Sequence, residues 1–134
     1  LNLLDAKNNQ KILEIGSGSG YVLALLSEMN PSGTVYGVEI LKELAVRSKD
    51  YLKDKTNVEI IMRDGSLGLS EFAPFDRILI SASCPECPTN LLQQLKDDGI
   101  LVAAVKQSIF QIKKENGETL TKEYPGFSFV PLVK

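Results

Sequence analysis

The chain has 134 residues, 43% hydrophobic and 24% charged, with a net charge of −2. That composition suits one globular domain spanning 1–134, and it speaks against nucleic acid as the main partner, because phosphate neutralisation needs a dense basic face. It holds no histidine, which excludes His-based acid–base catalysis, Ser-His-Asp triads and histidine metal sites within it.

The chain opens on Leu1 rather than Met, and Leu1, Leu3 and Leu4 look like the end of a helix, so a trimmed chain or a fragment is expected. "KILEI" (11–15) then reads as a short apolar strand, and Tyr21 to Met29 as a well-buried helix closed by "NPSG" (30–33). "TVYGVEI" (34–40) predicts the second strand. In Leu41 to Lys53 the residues Leu41, Leu44, Ala45 and Leu52 fall on one helical stripe. "VEIIMR" (58–63) and "FDRILISA" (75–82) predict the third and fourth strands, and a short helix around Leu91, Leu92 and Leu95 ends at "DDG".

"ILVAAV" (100–105) is a fully apolar strand. Repeated strand–helix–strand units with apolar strands predict a Rossmann-like, doubly wound α/β sheet of five parallel strands. After Val105 only Lys106 to Ser108 precede "IFQIKKE" (109–115). A parallel crossover needs a dozen or more residues, so the sixth strand must run back beside the fifth, as a C-terminal antiparallel hairpin. "FSFVPLV" (127–133) is expected to be the last strand, giving the order 3-2-1-4-5-6-7. No apolar run approaches a membrane span and no signal peptide opens the chain; a cytoplasmic protein, monomeric or weakly oligomeric, is expected.

The stretch "EIGSGSGY" (14–21) lies between the first strand and the first full helix, where open α/β sheets bind ligands. Its spacing, Gly16, Gly18 and Gly20, is not the dinucleotide G-x-G-x-x-G, and it lacks the Lys-Ser/Thr of a P-loop. Glu14 at the mouth of this loop would repel a pyrophosphate and attract an ammonium or sulfonium group. Glu39, ending the second strand, sits where related folds grip ribose hydroxyls. Asp64, in "RDGS", can accept from an exocyclic amine such as that of adenine. A ligand with a cationic amino-acid part, a ribose, an adenine and no phosphate is S-adenosylmethionine.

The segments "ILEIGSGSGYVLALLSEM", "GTVYGVE", "NVEIIMRDGSLG", "APFDRILISASCPECPTNLLQQLKDDGILV" and "FSFVPLV" resemble, in order, the protein-L-isoaspartate O-methyltransferase family, from about Leu3 to Lys134. The glycine loop is common to class I methyltransferases; "RDGSLG", "SASCPECP" (in place of T-A-A-A-P-E-x-P) and "FVPL" are more specific. The resemblance implies repair of aged proteins by methylating the free carboxylate of isoaspartyl residues. It implies that Glu14, Gly16, Ser17, Gly18, Gly20, Glu39, Asp64 and Gly65 contact the cofactor. Ala82, Ser83, Cys84, Pro85, Phe129 and Val130 would lie beside the substrate peptide.

Cys84 and Cys87 are spaced C-x-x-C, but the chain holds no other cysteine and no histidine. A structural zinc site needs two further ligands, so neither metal nor disulfide is expected, only packing in a Pro-rich loop. Catalysis would use no general base, since a carboxylate with a pKa near 4 is already ionised. Two other readings stay open: methyl transfer to a small molecule or RNA base, and a degenerate cofactor-binding module. The family's N-terminal segment, with its T-I-S-x-P serine, has no counterpart among these residues, so the isolated chain is expected to bind cofactor but to methylate poorly.

Overall fold

The computed structural model describes residues 1–84 and 89–126, with residues 82–84 described as backbone only. Five parallel strands are β1 (Lys11–Ile15), β2 (Thr34–Glu39), β3 (Val58–Met62), β4 (Phe75–Cys84) and β5 (Leu95–Val105). Helix α1 (Tyr21–Met29) joins β1 to β2, α2 (Lys42–Tyr51) joins β2 to β3, and the short α3 (Thr89–Leu92) precedes β5. The antiparallel strands β6 (Ser108–Glu115) and β7 (Glu118–Pro125) complete one seven-stranded sheet, in the order β3-β2-β1-β4-β5-β6-β7.

The pleat sorts the apolar residues into two layers. Leu13, Ile15, Tyr36, Val38, Ile78 and Ile80 face one side, with Leu69, Phe75 and Leu91. There Tyr36 stacks on Phe72 with ring centroids 4.7 Å apart. Ile12, Val35 and Ile60 face the other side and are covered by Leu23 and Leu26 of α1 and Ala45 of α2. By the same alternation Glu14, Gly37, Glu39 and Ser81 belong to this second face, at its carboxyl end. Leu23 seats there because Gly37 has no side chain: a Cβ on Gly37 would stand 2.5 Å from Leu23 Cδ1.

The order and the strand directions are those expected, and three details differ. Leu1 to Asp5 form a turn, not the end of a helix, with the Leu4 N–H donating to Leu1 O at 3.0 Å and Asp5 in the left-handed region at φ 51°. Leu95 belongs to β5, where it pairs with Phe75; "DDG" is an irregularity within that strand rather than a helix end. Pairing of Leu95 with Phe75 across the sheet decides this, and its spacing from Leu91 could not. The seventh strand is 118–125, the return arm of a two-residue hairpin at Asn116 (φ 53°) and Gly117 (φ 78°), which suits paired strands. Residues 127–133, expected to be that strand, lie outside the described residues. Among the described residues no helix is long and apolar enough to cross a membrane.

Candidate functional site

The loop after β1 is held from below by the second strand. The N–H groups of Gly16 and Ser17 both donate to Val38 O, at 2.9 and 3.1 Å. Gly16, Gly18 and Gly20 all take positive φ (79°, 56° and 91°), which explains three glycines in five residues. Their environments differ. A Cβ on Gly20 would meet Leu52 Cδ1 at 2.9 Å, so that glycine serves packing, whereas a Cβ on Gly18 would meet nothing within 4 Å. The loop is therefore open above Gly18 and closed beneath Gly20. Helix α1 starts at this loop with no side-chain cap and no acidic residue in its first turn, leaving N–H donors directed at the crevice.

Glu39 ties the site together. One carboxylate oxygen accepts the Gly18 N–H at 2.7 Å and the other accepts the Leu41 N–H at 2.9 Å. The residue is 5% exposed. A carboxylate offers about four acceptor positions, and with two of them taken by backbone N–H groups Glu39 keeps capacity for hydroxyl donors. Asp64 caps the 3-10 turn 65–67, its Oδ1 accepting the Ser66 N–H at 3.0 Å. Gly65 lies against the end of β1: a Cβ there would stand 2.5 Å from Ile15 Cγ2.

Glu14 is not at the rim of the loop, where its position in the sequence suggested, but beneath it, only 1% exposed. The Ser81 hydroxyl donates to Glu14 Oε2. Among the described residues two buried side-chain polar atoms have no hydrogen-bond partner, Glu14 Oε1 and Ser17 Oγ. Loss of hydration pushes the Glu14 carboxyl up to about 8, the Ser81 hydroxyl pulls the other way, and the nearby Glu39 charge adds to the rise.

Of the residues the sequence pointed to, Gly16, Ser17, Gly18, Gly20, Glu39 and Gly65 are brought around one crevice at the carboxyl ends of β1, β2 and β3, with Glu14 below it and Asp64 at its β3 end. Pro85, Cys87, Phe129 and Val130 lie outside the described residues, as do the side chains of Ala82, Ser83 and Cys84. Ser81 was missed. Its signal was available: β4 neighbours β1 with Glu14 opposite Leu79, so Ser81 falls two residues along on the same face.

A seven-stranded sheet in this order, with β6 antiparallel to both β5 and β7, defines the Rossmann-like methyltransferase fold. A solved protein-L-isoaspartate O-methyltransferase superposes with a TM-score of 0.92 at 25% identity, over 99% of this chain and 45% of that one. The family profile of protein-L-isoaspartate(D-aspartate) O-methyltransferase matches residues 1–134, and the chain belongs to that family. The protein-L-isoaspartate O-methyltransferase of Methanococcus aeolicus is 43% identical over 97% of this chain and 63% of its own length. A Plasmodium falciparum relative, crystallised with S-adenosyl-L-homocysteine, has a TM-score of 0.85 at 26% identity, covering 98% of this chain and 68% of that one. The chain spans 63%, 72% and 60% of the length of three curated relatives, from Methanococcus aeolicus, Methanocella arvoryzae and Dictyoglomus turgidum.

Proposed function

We propose that this chain is the cofactor-binding domain of an S-adenosylmethionine-dependent methyltransferase acting on the free carboxylate of isoaspartyl residues in proteins. The observation that carries the cofactor assignment is the pairing of a glycine loop, open above Gly18, with two buried carboxyl groups and no basic side chain in residues 14–21. Such a crevice disfavours phosphate and favours a cation. The two unpartnered polar atoms, Glu14 Oε1 and Ser17 Oγ, belong to the same loop and strand end and suit a polar, phosphate-free ligand. The P. falciparum relative bound to S-adenosyl-L-homocysteine supports the same reading.

When bound, the cofactor supplies a methyl group on a positively charged sulfur. The chain's own residues have three tasks. Glu39 offers its remaining acceptor positions to ribose hydroxyls while holding Gly18 in place. Asp64 and Gly65 form the end of the crevice at β3, where a carboxylate can accept from an amine on adenine. Glu14 lies beneath the loop with Oε1 unpartnered, an acceptor held in reserve for a cationic ligand. No residue has to remove a proton, because the accepting carboxylate is ionised at neutral pH. The remaining work is alignment and exclusion of water. Family membership supports the isoaspartyl carboxylate as acceptor.

The test is transfer of labelled methyl from S-adenosylmethionine to an isoaspartyl peptide, with the matching aspartyl peptide as control. Labelling of the isoaspartyl peptide alone is expected, weakly from the 134-residue chain by itself. Equal labelling of both peptides would remove the substrate assignment, and absence of cofactor binding by calorimetry would remove the cofactor assignment.

A further inference from the structure

Two carboxyl groups, Glu14 and Glu39, share one face of adjacent strands at 1% and 5% exposure, and they are not equivalent. Glu39 accepts two backbone N–H bonds, one on each carboxylate oxygen. Glu14 accepts one hydroxyl and keeps Oε1 unpartnered, the arrangement that favours a neutral acid. Two like charges this poorly hydrated do not both form at low cost, so the proton stays where fewer donors meet it.

Among the described residues, the charged group acting on Glu14 is Glu39 from β2. Strand β4 offers the neutral Ser81 hydroxyl, and the buried residues of α1 and α2 are Leu23, Leu26, Ser27, Ala45 and Ser48, none of them ionisable. Asp64 stands at the end of β3, two strands away. No described cation lies within ion-pair distance of Glu14.

We infer that docking of a cationic ligand in this crevice is coupled to release of the Glu14 proton, so that the site charges itself on binding. The inference rests on the S-adenosylmethionine reading above. A positive group placed near a poorly hydrated carboxyl shifts its equilibrium strongly toward the anion, because the field is weakly screened there. The loaded protein then presents one more negative charge at this face than the free protein. Affinity follows from linkage: it rises with pH, by up to about tenfold per unit, while free Glu14 is still protonated and bound Glu14 is not. It levels off once the free form ionises as well.

The experiment is isothermal titration calorimetry of the 134-residue chain with S-adenosylmethionine at about pH 6.5, well above the ordinary carboxylate range. It is run in phosphate and in imidazole, which both buffer at that pH and whose ionisation enthalpies differ. Binding accompanied by release of about one proton is expected from the wild type, and none from Glu14→Gln. Carbon-13 NMR of the side-chain carboxyls in the unaltered protein provides a second readout. One glutamate signal should titrate far above the ordinary range when free and lose that transition when loaded. Equal binding enthalpies in the two buffers would overturn the coupling and leave the cofactor reading standing. Proton release that persists in Glu14→Gln would overturn the assignment to Glu14. No binding in either buffer would overturn the cofactor reading and the coupling with it.

Discussion

Glu39 uses one carboxylate for two purposes, holding Gly18 and Leu41 by their N–H groups while facing the crevice. Glu39→Ala removes both, and cofactor affinity should fall by about 1.5–3 kcal/mol, the worth of charge-assisted hydrogen bonds. Calorimetric titration with S-adenosylhomocysteine measures that loss. Glu14 makes stability depend on pH. The unfolded chain ionises it at the ordinary 4.5, whereas the folded protein keeps the proton to about 8. Between those limits unfolding releases a proton, so rising pH favours the unfolded state. The contribution is fully present below pH 4.5 and is lost by about pH 8. Relative to Glu14→Gln, which cannot ionise, the wild type should lose on the order of 2–4 kcal/mol across this window. Urea midpoints at several pH values would show parallel curves for the two proteins if the carboxyl were not buried neutral.

At the scale of elements, the turn between α1 and β2 is tied by one buried amide. Asn30, fully buried, accepts the Gln10 N–H at 2.8 Å and donates to Gln10 O at 2.7 Å. Its own carbonyl accepts from Asn57 Nδ2 at 3.0 Å, linking the start of β1, the end of α1 and the start of β3. Asn30→Ala would leave the half-buried Gln10 N–H without its acceptor, while the Gln10 carbonyl keeps the Thr34 N–H, and should cost about 1–3 kcal/mol. A shift in urea midpoint with unchanged m-value is the expected result. "NPSG" was legible as a turn from composition. That Gly33 is required was not, because a Cβ there collides with Gln10 O and the Asn30 amide, groups brought in by tertiary contact. The return arm β7 was missed for a related reason. Its sequence "ETLTKEYP" is polar on both faces and mostly exposed, so no apolar alternation marked it.

At the scale of the whole molecule, the strand order brings Glu14, Glu39 and Ser81 onto one face and leaves the loop open above Gly18. A crevice of that kind should discriminate by ligand charge. S-adenosylmethionine at about 100 times its dissociation constant should raise stability by about 2.7 kcal/mol, and NAD or ATP at the same concentration should not. Thermal unfolding with each ligand checks this, and stabilisation by NAD alone would contradict the cation-selective reading.

Much of this protein was determined by the sequence alone, because short-range physics suffices for it. Apolar runs separated by Gly, Pro and Asn located β1, α1, β2 and β3 to within a residue or so, and three residues after Val105 ruled out a parallel crossover. The G-x-G-x-G spacing was enough to place a glycine loop between β1 and α1. Tertiary structure decided the rest. Whether Leu95 is helix or strand depends on Phe75 lying opposite it. Whether Glu14 meets solvent or lies sealed beneath the loop depends on the closure of β2, β4 and α1 around it. The charge of a carboxyl is set by its hydration and by the donors and charges around it. Those neighbours, Ser81 and Glu39, are 67 and 25 residues away in the chain and adjacent only in the folded sheet.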